Sequence, residues 1–576
     1  MTTYHSIYSP GIPDMRTKPT SKADILRLHV CVRFLPSWIC PITRDIGRVL
    51  FTGKGLIAVG DDCKLSNVRY FPSNLQKPSP NRQVQVISRD ALVYLSFFLV
   101  GAVSVATFLL RQSSSPDLSG FPTAVEDPGD SSPEIKSLIA LGPVGRTIQA
   151  SYDKYKAPFV MKLSLGTSII LPHRYIDDFK NNKDFDNHDF VIEMFQTKIP
   201  GLHPVDITTH DDRIFPAEEA STAVNRYFSG TGDWQENPIY EPIVEVMSSL
   251  VSLAFVGSDF QQRDEWRALT SAYIGKLFPA HHVMRSWPRW SRKYVHWFLP
   301  ELQDVRARLK EINHLLEPHV QRRIVAREQR QRDGKQPLKS LDSVDWALDA
   351  AKGRPFDVVG CQLALTIAAL HTSSNTTWNS LLDIVYDQEI IQPLREEIIR
   401  VVQEDGGLQT VSIAKLDLLD SCMKESQRMH PIQYGVMGRR VRKTTQLHDG
   451  TRIPKGVITI VAPPAMLDAD VFENPGKWDG YRFLKKRQQP GEEKKWLFAA
   501  TCPEQYAFGT GAHACPGRHF AGTNIKLILA HLLMRYDWKR PEGAGRRPDP
   551  IEISLDWAVD PSAKLAWKPR SPEVTL

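Results

Sequence analysis

The sequence predicts a mainly α-helical fold with a small β portion, preceded by one helix long enough to cross a membrane. Three observations lead there. From Pro238 to about Arg400, apolar residues recur at helical spacing with basic and acidic residues between them. β-Favouring runs are few and short, about Gly166 and Thr167 and over Val457 to Val461. Residues 91–110 carry no charge between Asp90 and Arg111.

Taken in order, residues 1–90 form a basic, proline-dotted extension with no assignable role. It is not a signal peptide, because no charged start leads into an apolar run. The stretch 91–110 follows; twenty helical residues span about 30 Å, the thickness of a bilayer's hydrocarbon core. A buried core helix is the alternative, but the run has no polar face, so a single membrane anchor is expected. Lys77, Arg82 and Arg89 precede it and only Arg111 follows within twenty residues. That asymmetry alone puts the N-terminus in the cytosol. Residues 111–134 are rich in Ser, Pro, Gly and Asp and read as a linker. The globular part, 135–576, opens on a hairpin pattern within Pro158 to Pro172, turning about Gly166 and Thr167. The helical region includes Leu302 to Arg327, whose many charges read as a solvated face. Short strands return near Val457 to Val461 and towards the C-terminus, and no internal repeat is present.

A chain of 576 residues accommodates one large catalytic unit with appendages. Its net charge of +7 suits an acidic partner or a membrane surface and gives no indication of nucleic acid. The seven cysteines are odd in number, and none has C-x-x-C or zinc-ligand spacing. A reducing compartment without a disulfide framework is expected.

One cysteine stands apart. Cys515 lies in a glycine-punctuated loop, from Phe508 to Ala521, directly before an apolar helical pattern from Phe520 to Leu533. A lone thiolate on a tight loop is a soft, electron-donating axial ligand for haem iron. Gly509, Gly511 and Gly517 let the backbone turn and approach a flat macrocycle, and the following helix start stabilises an anionic sulfur. The bland alternative is a structural cysteine in a glycine-rich turn. The segment resembles the haem-binding signature of the cytochrome P-450 superfamily, with Phe508, Gly511, His513, Cys515 and Gly517 at matching positions. His513 stands where many members have arginine, as in the fungal branch.

Two further motifs join it. Glu425 and Arg428 lie three apart on one helical face, ended by Pro431. Alone, such a pair is usually a weak surface ion pair. Here it resembles the family's Glu-x-x-Arg motif, and Trp478 to Phe483 resembles its Phe-x-Pro-x-Arg-Phe segment, with Gly480 in place of proline and Arg482 retained. The resemblance implies that Glu425, Arg428 and Arg482 form a buried network fixing the loop of Cys515. Leu365 to Ser374 resembles the distal oxygen-binding helix; Thr372 matches the threonine that handles protons during oxygen activation, with Ala369 and His371 replacing a glycine and an acid. Hydroxyl bonding to the helix's own carbonyls is the alternative for Thr372. His371 is either a proton relay or a satisfied structural residue. Between Asp184 and Gly232 no helix offers the Trp or His, with Arg four residues on, that members direct to the haem propionates.

The resemblance implies a membrane-anchored haem-thiolate monooxygenase with the cytochrome P-450 fold. Its cofactor would be haem b. O2 and a lipophilic substrate, probed by Gln433 to Met437, Ala368 to Thr372 and Leu555 to Val559, would meet there. The mostly apolar lining and the His-Thr pairing resemble fungal members acting on terpenoids. Electrons would come from an NADPH-dependent flavoprotein reductase docking on Arg518, Lys526, Lys485, Lys486 and Arg487. The resemblance also implies a single-pass protein of the endoplasmic reticulum with its catalytic domain, 135–576, facing the cytosol, opposite to the charge asymmetry. Two rival functions are a haem-thiolate isomerase or dehydratase that does not use O2, and an inactive haem binder.

Overall fold

The computed structural model describes residues 49–52, 55–58, 116–125, 144–206, 217–230, 232–261, 263–335, 342–462 and 465–576. The chain divides into two units, Met1–Ser104 and Val105–Leu576. In the first, the described residues form one antiparallel hairpin of β1 (Val49–Thr52) and β2 (Gly55–Ala58). The anchor expected at 91–110 lies outside the described residues. No helix among those described is long and apolar enough to cross a membrane.

The second unit is mainly helical. The first helix among its described residues, α1 (Gly145–Tyr155), leads into β3 (Phe159–Leu163) and β4 (Gly166–Leu171). The expected hairpin forms, but Leu163 pairs with Gly166, so the turn is Ser164-Leu165. Gly166 begins β4 at φ +105, where a side chain would be strained. Residues 116–125, within the stretch expected to be a linker, run beside β3. Ala124 N–H donates to Val160 O and Val160 N–H donates to Pro122 O, each at 2.8 Å. The expected linker thus contributes backbone bonds to the sheet edge, because β3 would otherwise expose unpaired peptide groups.

The two-residue β5 (Phe185–Asp186) precedes α2 (Asn187–Phe195), and α3 (Ala217–Tyr227) and β6 (Gln235–Pro238) follow. The long helical region then runs through α4 (Tyr240–Val256), α5 (Asp264–Ser286), α6 (Pro300–Arg332) and α7 (Ser343–Ala351). On α6, Leu302, Val305, Leu309, Ile312, Leu316 and Val320 are buried. That three-and-four spacing is an amphipathic stripe, and most charges between these residues face solvent as expected.

The centre of the unit is α8 (Val358–Tyr386), which packs against α4 and two later helices. The Asp357 side chain caps it, accepting from Gly360 N–H at 2.7 Å. Next, α9 (Ile391–Asp405) ends at Gly406 with φ +70. The helix of Glu425 and Arg428, α10 (Asp417–Met429), stops two residues before Pro431. Beyond it lie β7 (Val436–Val441), β8 (Ile458–Val461), α11 (Arg482–Arg487) and α12 (Arg518–Arg535). Both α10 and α12 touch α8. From Ile525 to Met534, α12 is buried at every residue, as a central helix must be. Four short strands close the chain: β9 (Tyr536–Lys539), β10 (Ile551–Ile553), β11 (Asp556–Ala558) and β12 (Lys564–Pro569).

The main sheet has the order β3-β4-β8-β7-β5, with only β8 and β4 parallel. A second sheet runs β9-β12-β6, and β10 pairs with β11. The β portion is small, and its main sheet holds β7 beside the loop of Cys515.

Packing between α4 and α5 depends on Trp266, which is fully buried and donates through Nε1 to Ser252 Oγ at 3.2 Å. Replacing this ring with a methyl leaves a large cavity. Trp266→Ala should lower stability by about 3–5 kcal/mol, and Trp266→Phe by about 1 kcal/mol, the scale of one lost hydrogen bond. Urea unfolding of both variants checks this; equal midpoints would contradict it.

Candidate functional site

The Cys515 loop is built by its glycines and by one backbone bond. Cys515 N–H donates to Phe508 O at 2.7 Å, closing the loop on itself. Gly509 and Gly511 have φ of +66 and +74, as their glycine identity predicts. At Gly511 a Cβ would also come within 2.7 Å of the Lys180 carbonyl oxygen. Gly517 behaves differently. Its φ is −81, an ordinary value, and nothing lies within 4 Å of where its Cβ would be. Gly517 therefore leaves open space rather than permitting a turn. The loop is tied to the residues before β5 by Ala512 N–H, which donates to Asn181 Oδ1 at 2.8 Å. The Phe508 ring stands edge-on to Phe498 with centroids 5.3 Å apart.

Cys515, His513, Phe508 and Gly509 form one wall of a cavity of about 300 Å³. Phe190, Val191 and Met194 of α2 supply apolar surface to it. Of the expected lining residues, Gln433, Gly435, Val436, Met437, Leu555 and Asp556 are present. The stretch Ala368 to Thr372 is not among the lining residues, because α2 and α5 supply the cavity's remaining helical wall. Arg439 on β7 also lines it. Its side chain is buried, and Nη1 donates to Asn187 Oδ1 and Gly438 O, each at 2.8 Å. Its Nε has no partner among the described residues. Burial lowers the Arg439 pKa to about 10, with Asp186 opposing, so the guanidinium stays charged. Desolvation first, and the Arg439 charge second, hold His513 below its ordinary value.

The carboxylate–guanidinium network forms as the resemblance implies. Glu425 and Arg428 are wholly buried. Arg428 donates to both Glu425 oxygens at 2.8 Å, and Arg482 Nε donates to the same pair at 3.0 and 3.1 Å. The remaining donors reach backbone: Arg428 Nη1 to Met466 O at 2.6 Å, and Arg482 Nη1 to Glu473 O at 2.7 Å. The bonds of this network fasten residues 466–482, not the loop of Cys515. Two neighbours on α10 reach nearer that loop. Asp420 Oδ2 accepts from Phe498 N–H at 2.8 Å. Lys424 Nζ donates to Leu497 O and Ala500 O at 2.8 and 3.1 Å. Burial lowers the Lys424 pKa to about 8, countered by Cys502 and Asp420.

The sequence reading missed Asp420, Lys424 and Arg439. Nothing marks the first two on a helix rich in charge. The signal for Arg439 was an arginine inside a β-favouring run beside glycine, where a charge is out of place.

On α8 the face of Ala368 and Thr372 is exposed although most of the helix is buried. Thr372 Oγ1 donates to Ala368 O at 2.6 Å, the back-bonded alternative. Burial lowers the His371 pKa, which favours the neutral imidazole. The basic residues expected to form a docking face divide. Lys485 is exposed, but Lys526 is buried against Asp420 at 2.8 Å and Arg487 is held by Asp417 at 2.6 Å. Lys526 and Arg487 are structural ion pairs because α12 and α11 turn them inward.

Residues 229–559 match the family described as Cytochrome P450. The chain belongs to the cytochrome P450 family. It is 31% identical to cytochrome P450 monooxygenase 1 of Gibberella fujikuroi, over 73% of this chain and 99% of that protein. It is also 31% identical to cytochrome P450 monooxygenase TRI1 of Fusarium sporotrichioides, over 83% of this chain and 89% of that one. Dihydromonacolin L monooxygenase LovA of Aspergillus terreus is 30% identical, over 74% of this chain and 84% of that one. This P450 is an oxidoreductase of the monooxygenase type, with a haem-iron cofactor and the mainly helical P450 fold.

Removing Glu425 leaves two arginines buried without their carboxylate. Glu425→Ala should cost this P450 about 3–5 kcal/mol, seen as a small yield of haem-loaded protein and a lower urea midpoint. A stable, well-loaded variant with only a changed product profile would contradict a structural role.

Proposed function

We propose that this P450 hydroxylates or oxidises a lipophilic small molecule, a terpenoid-type secondary metabolite, with O2 and electrons from NADPH delivered by a flavoprotein reductase. In this reading residues 91–110 anchor it in the endoplasmic reticulum with the catalytic domain facing the cytosol. The observation that carries the chemistry is a single one: Cys515, on a loop turned by Gly509 and Gly511, lines the same cavity as the buried Arg439 and the apolar side chains of α2. The monooxygenase names of the relatives favour oxygenation over rearrangement without O2, and LovA, named for dihydromonacolin L, supports a small-molecule substrate.

The residues at the cavity fit haem b. Cys515 would hold the haem iron through its thiolate, two residues before Gly517 caps α12, where the helix N-terminus favours an anionic sulfur. The partnerless Nε–H of Arg439 is a buried donor suited to an acidic substituent of the cofactor, and His513 stands beside it on the cavity wall. Phe508 offers an aromatic ring on the cavity wall. When bound, thiolate-ligated haem supplies oxygen activation, the thiolate donating electron density that favours O–O cleavage.

The protein's own work is to position substrate, limit water and move protons. Phe190, Val191 and Met194 on the cavity wall suit a lipophilic body. The Thr372 hydroxyl donates its hydrogen bond to Ala368 O, which fixes the O–H direction and leaves the oxygen able to accept from a water. Through that water it would pass protons towards the reaction. His371, neutral, can accept and return a proton beside it.

Cys515→Ser should abolish the red-shifted Soret band of the reduced CO complex. Survival of that band would sink the assignment of Cys515. Thr372→Ala should keep haem content and substrate binding near wild type while product per NADPH falls several-fold and peroxide rises. The deciding number is the coupling ratio with reductase present; an unchanged ratio would mean that protons arrive by another route.

A further inference from the structure

Arg518, expected among the residues of a reductase-docking face, is turned onto the loop it follows. Its Nη1 donates to the carbonyl oxygen of Cys515 at 2.7 Å, and the residue is half-buried. Cys515 N–H is already spent on Phe508 O, also at 2.7 Å. Both backbone polar groups of Cys515 are thereby fixed, one by the loop itself and one by a cation. The guanidinium and the sulfur are attached to the same residue, the first through a hydrogen bond and the second through covalent bonds.

The position is an unusual one for a positive charge. Arg518 is the first residue of α12, directly after its cap Gly517, and the first turn of α12 holds no acidic residue. A helix N-terminus carries partial positive charge and disfavours a cation. Other basic residues expected on the same face are neutralised, Lys526 by Asp420 at 2.8 Å and Arg487 by Asp417 at 2.6 Å. Among the described residues no carboxylate pairs with Arg518. The residue it does bond, Cys515, is the one that becomes an anion as a thiolate. A half-buried charge also acts through a lower dielectric than an exposed one and is screened less by salt.

We propose that Arg518 is a positioning residue that tunes the reduction of the cofactor: it fixes the Cys515 carbonyl and holds a positive charge, uncompensated by any carboxylate, against the residue of the thiolate. The inference rests on the assignment of Cys515 as the residue that holds the haem iron. Taking up one electron adds one negative charge to the cofactor and its thiolate. A positive charge held nearby stabilises that reduced state, so the reduction potential is higher with Arg518 than without it. The thiolate pushes electron density onto iron, and Arg518 offsets part of that push.

The test uses the haem-loaded full chain and three variants. Arg518→Lys keeps the charge, Arg518→Gln keeps a donor for the Cys515 carbonyl without the charge, and Arg518→Leu keeps neither. Potentials come from titration with dithionite in the presence of redox mediators, and the ligand is read from the Soret band of the reduced CO complex. Arg518→Gln and Arg518→Leu should each lower the potential by about 59 mV, a tenfold change in a one-electron equilibrium, while Arg518→Lys stays near wild type. The red-shifted band should be retained in the Lys and Gln variants. In Arg518→Leu it should convert to shorter wavelength several-fold faster, because the Cys515 carbonyl has lost its donor. An unchanged potential in Arg518→Gln overturns the inference. So does an equal fall in Arg518→Lys, which assigns the effect to the shape of the guanidinium and not to its charge. Loss of haem or of the red-shifted band from the Lys and Gln variants alike makes Arg518 a structural support and overturns it too. Slower reduction by the flavoprotein reductase at an unmoved potential returns Arg518 to the docking face. A wild type without the red-shifted band sinks the Cys515 assignment itself, whereas a normal band with an unmoved potential sinks the role of Arg518 alone.

Discussion

A carboxylate with no exposure to water, Glu425, sits between two guanidinium groups, and the site-bearing half of the fold is arranged around that fact. Buried charge is tolerated only when paired and fully hydrogen-bonded. The pairing recruits the backbone at Met466, Glu473 and Lys477, so one helix defines the course of the chain from β8 to α11. The same helix buries Asp420 and Lys424, which bind backbone at Phe498, Leu497 and Ala500. Rich in charge and yet largely buried, α10 is stable because each charge has found a fixed partner. Its role is to fix the backbone on both sides of α11, at Met466 to Lys477 and at Leu497 to Ala500, ahead of the loop of Cys515.

The cavity obeys a different rule. Apolar side chains of α2 meet a polar set there that includes Asn187, His282, Arg285, Gln433, Arg439, His513 and Asp556. Arg439 spends Nη1 on Asn187 and Gly438 and keeps Nε, while His282 spends Nδ1 on Phe278 and keeps Nε2. Half-satisfied groups of this kind are expensive in a core.

What was legible in the sequence was what is local. Gly509 and Gly511 announced a loop because positive φ is a property of single residues. Glu425 and Arg428 announced a pair because three residues make one helical turn. Arg482 followed only through resemblance, since its bond to Glu425 spans 57 positions. Asp420 was illegible for the same reason: its partner Phe498 lies 78 positions away. Lys526 and Arg487 misled because a charge carries no local sign of burial. Gly517 misled in the opposite way, as a glycine with an ordinary φ of −81 has the same letter as one that needs a positive φ. The hairpin at β3 was legible, but its turn moved to Ser164-Leu165 because Gly166 serves the strand start rather than the turn centre.

Helix α8 raises the question of how to recognise a working hydroxyl among structural ones. Thr366, Ser374, Thr376, Thr377 and Ser380 all donate to the carbonyl four residues back, and all are buried. Thr372 makes the same bond to Ala368. Bonding therefore does not separate it from the rest, and a helix with so many buried hydroxyls needs each such bond simply to be stable. Exposure separates it: Thr372 and Ala368 are the two exposed positions of the helix between Val358 and Tyr386, the others being buried or half-buried. An oxygen can accept a proton donor from outside only where such a donor can reach it. In α8 that condition selects Thr372, and the small side chain of Ala368 one turn before it keeps the approach clear.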